Sequence, residues 1–188
     1  MKVRPRTGPI ALVGLRASGK TTLGRALAHQ LGATFVDLDE HVVALHARLA
    51  GGPAATSAGE LFSVLGAEGF RAREWASLRA VLEARSAPGA QLVLATGGGV
   101  VETATCRDLL GKTRCLWLRV PKDELARRMA ESPSLRPALT EGADPIGEIP
   151  AIAARREPWY REVAWREVDL AGLDFDAALA AVVAAADA

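Results

Sequence analysis

Short runs of consecutive apolar residues alternate along this chain with longer stretches whose apolar positions recur every three to four residues. The runs IALVG (10–14), TFVDLD (34–39), QLVLAT (91–96) and RCLWLRV (114–120) have strand length, and REVDL (166–170) is a weaker fifth candidate. Their apolar residues stand side by side instead of alternating with polar ones, so both faces of a sheet are expected to be covered. Strand and helical period, repeated in turn, predict a parallel sheet with crossover helices, a three-layer α/β domain. The closing DFDAALAAVVAAADA reads as a final helix docked on the body.

Two regions carry more chain than a crossover needs. Residues 40–86 include LAGGPAATSAG (49–59), rich in glycine, proline and alanine, and then a helical stretch over 67–85, and they are expected to form a lobe beside the sheet. Residues 130–148, AESPSLRPALTEGADPIGE, hold three prolines and few core residues, the composition of a lid.

A length of 188 residues with 49% hydrophobic content suits one domain, 1–188, that buries its own core. A formal charge of +1 argues against nucleic acid as a partner, since such binders carry a strong basic excess. Cys106 and Cys115 have no companions to complete a metal set or a disulfide framework, which fits a reducing, cytoplasmic setting. The opening MKVRPRTGP leads into only a strand-length apolar run, unlike a signal peptide. No stretch reaches the roughly 20 apolar residues that a membrane span requires. His29, His41 and His46 form no recognisable metal set, and the four tryptophans are read as core.

The densest chemistry lies in VGLRASGKTTLG (13–24). Gly14, Gly19, Lys20 and Thr21 satisfy G-x-x-x-x-G-K-[ST] between a predicted strand and a predicted helix, the context in which this pattern cradles nucleotide phosphates. Backbone N–H groups of the loop and the helix start attract phosphate oxygens, Lys20 reaches the β and γ phosphates, and the Thr21 hydroxyl is a Mg²⁺ ligand. Ala17, Ser18 and Thr22 complete the expected ATP-binding loop.

VDLDE places Asp37 and Asp39 at the end of the second predicted strand, where ligands gather in an open α/β sheet. A spacing of two sets them on one face, one to serve Mg²⁺ and its waters, the other to accept a proton or hydrogen bond from an alcohol. Asp39 is also a good N-cap for the helix that follows. Gly97, Gly98 and Gly99 after the third strand mark a place where a ligand approaches the main chain.

Taken in order, GLRASGKTTLG, DLD, GFRARE, TGGG, LRP and RREPWY resemble the shikimate kinase family over almost the whole chain. The resemblance implies a P-loop kinase fold with a five-stranded parallel sheet, a substrate-binding lobe at 40–86 and a lid at 130–148. It implies a cytoplasmic, monomeric enzyme that uses Mg²⁺ and transfers the ATP γ-phosphate to the 3-hydroxyl of shikimate, a step toward the aromatic amino acids.

By the same resemblance Lys20, Asp39 and Arg136 are catalytic, Thr21 and Asp37 serve the metal, and Arg128 lies against adenine. Asp39, Arg71, Gly97, Gly98, Gly99, Arg136 and Arg156 hold the acceptor. Arginine suits such a carboxylate-bearing acceptor because its fork meets a carboxylate through two bonds. Arg155 adjoins Arg156, and either one can be the arginine that faces the site. Arg73, Arg79, Arg107 and Arg155 are read as solvated or surface-paired charges.

Ala17 stands where the family carries glycine and is expected to need a negative φ. The lobe is longer than the family's over 49–59 and lacks its usual acidic residue after Asp39. Two other readings stay open: a gluconate-type kinase of a related hydroxy acid, and a kinase-derived module that senses a ligand without turnover.

Overall fold

At the centre of the computed structural model, which describes residues 8–50, 55–84, 91–131 and 144–187, lies β1 (Ile10–Val13), buried at all four positions. It pairs in parallel with β3 (Leu92–Ala95) on one side and β4 (Arg114–Arg119) on the other; β2 (Thr34–Asp37) and β5 (Arg166–Asp169) complete a five-stranded parallel sheet in the order β2-β3-β1-β4-β5. Each expected strand is present, trimmed by one or two residues at its ends.

Period-2 geometry sends Ile10 and Leu12 to one face and Ala11 and Val13 to the other, which explains why the strand reads as apolar throughout. On the first face α1 (Lys20–Leu31), α5 (Lys122–Ala130) and α7 (Phe175–Asp187) bury Leu23, Leu27, Leu125 and Val182. On the second, α2 (Leu38–Ala50), α3 (Ala58–Ala84), α4 (Ala104–Leu110) and α6 (Ile149–Val163) bury Leu38, Leu61, Leu78, Leu110 and Tyr160. Each fully buried leucine contributes about 1.5–3 kcal/mol from area alone. Trp117 is core, Trp75 and Trp159 pack against the same cluster, and Trp165 packs against the cluster on the other face.

The region 40–86, expected to form a lobe, carries α2 and α3, which pack on each other and share the core of the sheet's second face. The expected helix over 67–85 is the second part of α3; a first part from Ala58 meets it at Gly66, whose φ of 67° and ψ of 178° break the helix. That break is why the apolar period did not carry backward through Gly66. The segment 51–54 and most of the expected lid lie outside the described residues. No helix among the described residues is long and apolar enough to cross a membrane.

Candidate functional site

β1 stops at Val13 and α1 starts at Lys20, and the loop between them sits where β1 is flanked by β3 and β4, the point at which an open α/β sheet takes its ligand. Gly14 adopts φ 149°, and a Cβ there would come 2.6 Å from the Leu118 carbonyl oxygen, so only glycine lets the loop lie against β4. Ala17 has φ 59°, which corrects the expectation of a negative value: the left-handed turn is kept even though the side chain opposes it. Gly19, at φ 87°, leads into α1, and no side chain among the described residues caps that helix, so its first amides open into the cleft.

Lys20 Nζ donates to the carbonyl oxygens of Gly14 at 3.0 Å and Leu15 at 2.7 Å and to Ser18 Oγ at 3.3 Å. The ammonium is thus folded over the loop that a phosphate would enter. From α5, Arg128 donates through Nη1 to the Ala17 carbonyl at 3.2 Å and through Nε to Glu124 at 2.8 Å, which fixes it beside the loop.

Thr21 Oγ1 donates to Asp37 Oδ2 at 2.7 Å, while Asp37 Oδ1 accepts from the Asp39 and Glu40 amides at 3.0 and 3.4 Å. Helix α2 begins one residue after β2, so Asp37 is its cap and Asp39 stands in its first turn. This revises two expectations: Asp39 is not the cap, and the two acids share the site through a strand-to-helix junction instead of one strand face. Both line a cleft of about 540 Å³ together with Lys20, Thr21, Thr22 and Arg128. Hard oxygen donors at Thr21 and Asp37 beside the phosphate loop are the chemistry that Mg²⁺ takes.

A second, smaller pocket of about 80 Å³ is walled by Phe70, Arg71, Glu74, Arg156 and the three glycines 97–99. Arg16, Asp39 and Gly98 belong to the walls of both spaces, so the two adjoin each other. The glycines are required sterically. A Cβ on Gly97 would lie 2.6 Å from Asp39 Oδ1, and one on Gly99 would overlap the Arg71 guanidinium.

Arg71 Nη1 donates to Glu74 Oε2 at 2.6 Å and Nη2 to Glu102 Oε2 at 2.9 Å. Glu102 Oε1 accepts in addition from Arg156 Nε at 2.9 Å and Arg155 Nη2 at 2.6 Å. Burial works to raise the Glu102 carboxyl, but the Arg156 and Arg71 guanidinium groups outweigh it and hold it below the usual range. Glu74 goes the other way: burial pushes it up to about 7, against the pull of Arg71 and with help from Asp39 and Glu102. Its Oε1 has no hydrogen-bond partner among the described residues.

The structure brings Gly14, Ala17, Ser18, Gly19, Lys20, Thr21, Thr22, Asp37 and Arg128 around the larger cleft or its loop, and Asp39, Arg71, Gly97, Gly98, Gly99 and Arg156 around the smaller pocket. Arg156 is 2% exposed and faces the pocket, whereas Arg155 is 55% exposed and approaches Glu102 from outside. Arg136 lies outside the described residues. Arg79 pairs with Glu83 at the surface, but Arg107 is half-buried and fixes the Val101 carbonyl at 2.8 Å, a structural bond.

Sequence reasoning missed Glu74, Glu102, Arg16 and the Leu173–Phe175 wall of the nucleotide cleft. Glu74 was legible as the i,i+3 partner of Arg71 on a helix. Glu102 carried no local signal, because its partners are 31 and 54 positions away.

A family model described as shikimate kinase matches residues 16–185. The chain is 40% identical over 156 residues to the shikimate kinase of Symbiobacterium thermophilum, covering 82% of each. Among solved structures, shikimate kinase from Acinetobacter baumannii in complex with shikimate superposes with a TM-score of 0.72 at 32% identity, covering 92% of this chain and 87% of that one. Shikimate kinase from Bacteroides thetaiotaomicron gives 0.74 at 27% identity over 93% and 94% of the two chains.

Proposed function

The chain belongs to the shikimate kinase family and is an ATP-dependent kinase, and we propose that it carries the ATP γ-phosphoryl group to the 3-hydroxyl of shikimate, giving shikimate 3-phosphate and ADP. The observation that carries this reading is the position of Asp39 and Gly98 in the walls of both spaces: an alcohol held in the smaller pocket faces a triphosphate held in the larger one.

In this mechanism the phosphate loop and the first amides of α1 take the triphosphate, and Lys20 exchanges its bonds to Gly14, Leu15 and Ser18 for phosphate oxygens. Asp39 accepts the proton of the acceptor hydroxyl as its oxygen attacks the γ phosphorus and the bond to the β–γ bridging oxygen breaks, releasing ADP. Arg71 and Arg156 hold the acceptor carboxylate, and Gly97–Gly99 let the ring approach the backbone. Thr21 and Asp37 would hold Mg²⁺, which when bound offsets phosphate charge. Arg136 is assigned the closing role over the transferring group. Two buried cysteines that are not joined in a disulfide support placing it in the cytoplasm. We take it to act as a monomer, which size-exclusion chromatography checks.

A coupled ADP-release assay with Mg·ATP tests the proposal, with shikimate and gluconate compared as acceptors. ADP release is expected with shikimate and to fall by about 10²–10⁴-fold in Asp39→Asn. Turnover with gluconate alone would transfer the activity to the other hydroxy acid, and binding of shikimate without ADP release would make this a sensing module.

A further inference from the structure

Three arginine side chains converge on one carboxylate that takes no part in either pocket. Glu102 ends the short 3₁₀ turn Val100–Glu102 that follows the three glycines, and its amide donates to the Gly99 carbonyl at 2.9 Å. Arg107 Nη1 holds the preceding carbonyl, that of Val101, at 2.8 Å. The carboxylate is therefore presented from a fixed point at the end of β3. Arg71 comes to it from α3 and Arg156 from α6, helices that both pack on this turn.

We propose that Glu102 is a positioning residue for the acceptor: its carboxylate, placed behind the pocket wall, holds the Arg71 and Arg156 guanidinium groups side by side to receive the acceptor's carboxylate. This rests on the reading of the smaller pocket as the acceptor site. Two like charges brought together on long side chains repel and lose rotamer freedom, and an ion placed between them on the far side opposes both effects. Glu102 binds a separate guanidinium with each oxygen, Oε2 to Arg71 and Oε1 to Arg156. Arg71 and Arg156 wall the pocket and Glu102 does not, so it supports them without standing where a ligand carboxylate would go. The bonds of Arg71 to Glu74 and to Glu102 occupy two of its five N–H groups and leave three.

Glu74 already holds Arg71 alone, through a bond along one helix. Glu102 differs in spanning two helices, so its removal should loosen the spacing between the arginines and not merely the direction of one of them.

Steady-state kinetics of Glu102→Gln, Glu102→Ala and Glu102→Asp, varying shikimate and Mg·ATP in turn, test this. KM for shikimate is expected to rise about 10–100-fold in the Gln and Ala variants, the range typical of residues that orient binding groups from behind. In the same variants kcat stays within about threefold and KM for ATP is unchanged, and Asp recovers most of the loss because the charge is kept. Gln is nearly isosteric and carries the test should Ala fail to fold.

An unchanged KM for shikimate overturns the proposal. So does a lowered one, which would mean that Glu102 competes for the arginines, and so does a parallel loss in kcat and both KM values, the mark of general disruption. Wild-type protein without turnover of shikimate would overturn the kinase reading and this inference together, whereas active wild-type with unaltered variants overturns this inference alone.

Discussion

Thr21 Oγ1 lies 2.7 Å from Asp37 Oδ2, a bond that ties the first turn of the phosphate-loop helix to the end of β2. The same carboxylate caps α2 with its other oxygen, so Asp37, the start of α1 and the start of α2 are one hydrogen-bonded unit. Asparagine caps a helix about as well as aspartate but carries no charge for a divalent ion. Asp37→Asn is therefore expected to leave the melting temperature nearly unchanged while raising the Mg²⁺ concentration for half-maximal activity about 10–100-fold. Titrating Mg²⁺ at fixed ATP and shikimate checks this. An unaltered Mg²⁺ requirement would remove Asp37 from the metal's surroundings.

Glu74 makes stability depend on pH in an unusual direction. Its carboxyl is raised from an ordinary 4.5 to about 7, first by burial and then by Asp39 and Glu102, against the pull of Arg71. The folded protein thus keeps a proton that the unfolded chain has lost, and the stabilisation, complete below pH 4.5, fades as pH rises through about 7. Across that window the wild type should lose stability with a slope approaching about 1.4 kcal/mol per pH unit relative to Glu74→Gln. Urea unfolding of both proteins between pH 4.5 and 8 reads the difference. Parallel curves would show that Glu74 is ionised throughout.

At Ala17 the loop accepts a left-handed backbone, φ 59°, from a residue with a Cβ. That conformation costs about 1–2 kcal/mol in an L-residue other than glycine, whereas glycine loses about 0.4–1 kcal/mol through its freer unfolded chain. The first effect is larger, so Ala17→Gly should stabilise the protein by about 0.5–1 kcal/mol, seen as a shift of the urea midpoint with an unchanged slope. Destabilisation would mean that the methyl group packs well enough to outweigh its strain.

The parts legible in the chain were those with a local physical signature. IALVG read as a doubly covered strand because all its residues are buried, and Gly14, Gly19, Lys20 and Thr21 read as a phosphate loop because the turn, the amides and the ammonium are consecutive. The junction at Asp37 was misjudged because apolar alternation cannot show that a helix starts with no connecting residue, and hydrogen bonding to the Asp39 amide decides it. Ala17 was misjudged because the loop's own closure overrides a residue's preference. Glu102 was invisible because its contacts join positions 71, 102 and 156, which only the packing of α3 and α6 around one turn brings together.

The pair Arg155 and Arg156 turns that packing into a test. Helical geometry separates neighbours by about 100°, so one of the two must face the body of the protein when the other faces solvent. Arg156 is the inward one: it is 2% exposed, walls the smaller pocket and meets Glu102 through Nε, and its guanidinium also bonds the buried Tyr160 hydroxyl. Arg155 reaches the same Glu102 oxygen with a side chain 55% exposed, and such pairs contribute about 0–1 kcal/mol. Arg155→Ala should therefore change KM for shikimate less than about threefold. Arg156→Lys keeps the charge but offers no fork, and is expected to raise KM for shikimate at least about tenfold with kcat for ATP turnover less affected. Lysine is the informative substitution here, since alanine would leave Glu102 half-paired and confuse binding with folding. Parallel kinetics of the two variants decide the matter: a larger loss at Arg155 than at Arg156 would mean that α6 turns a different face to the acceptor.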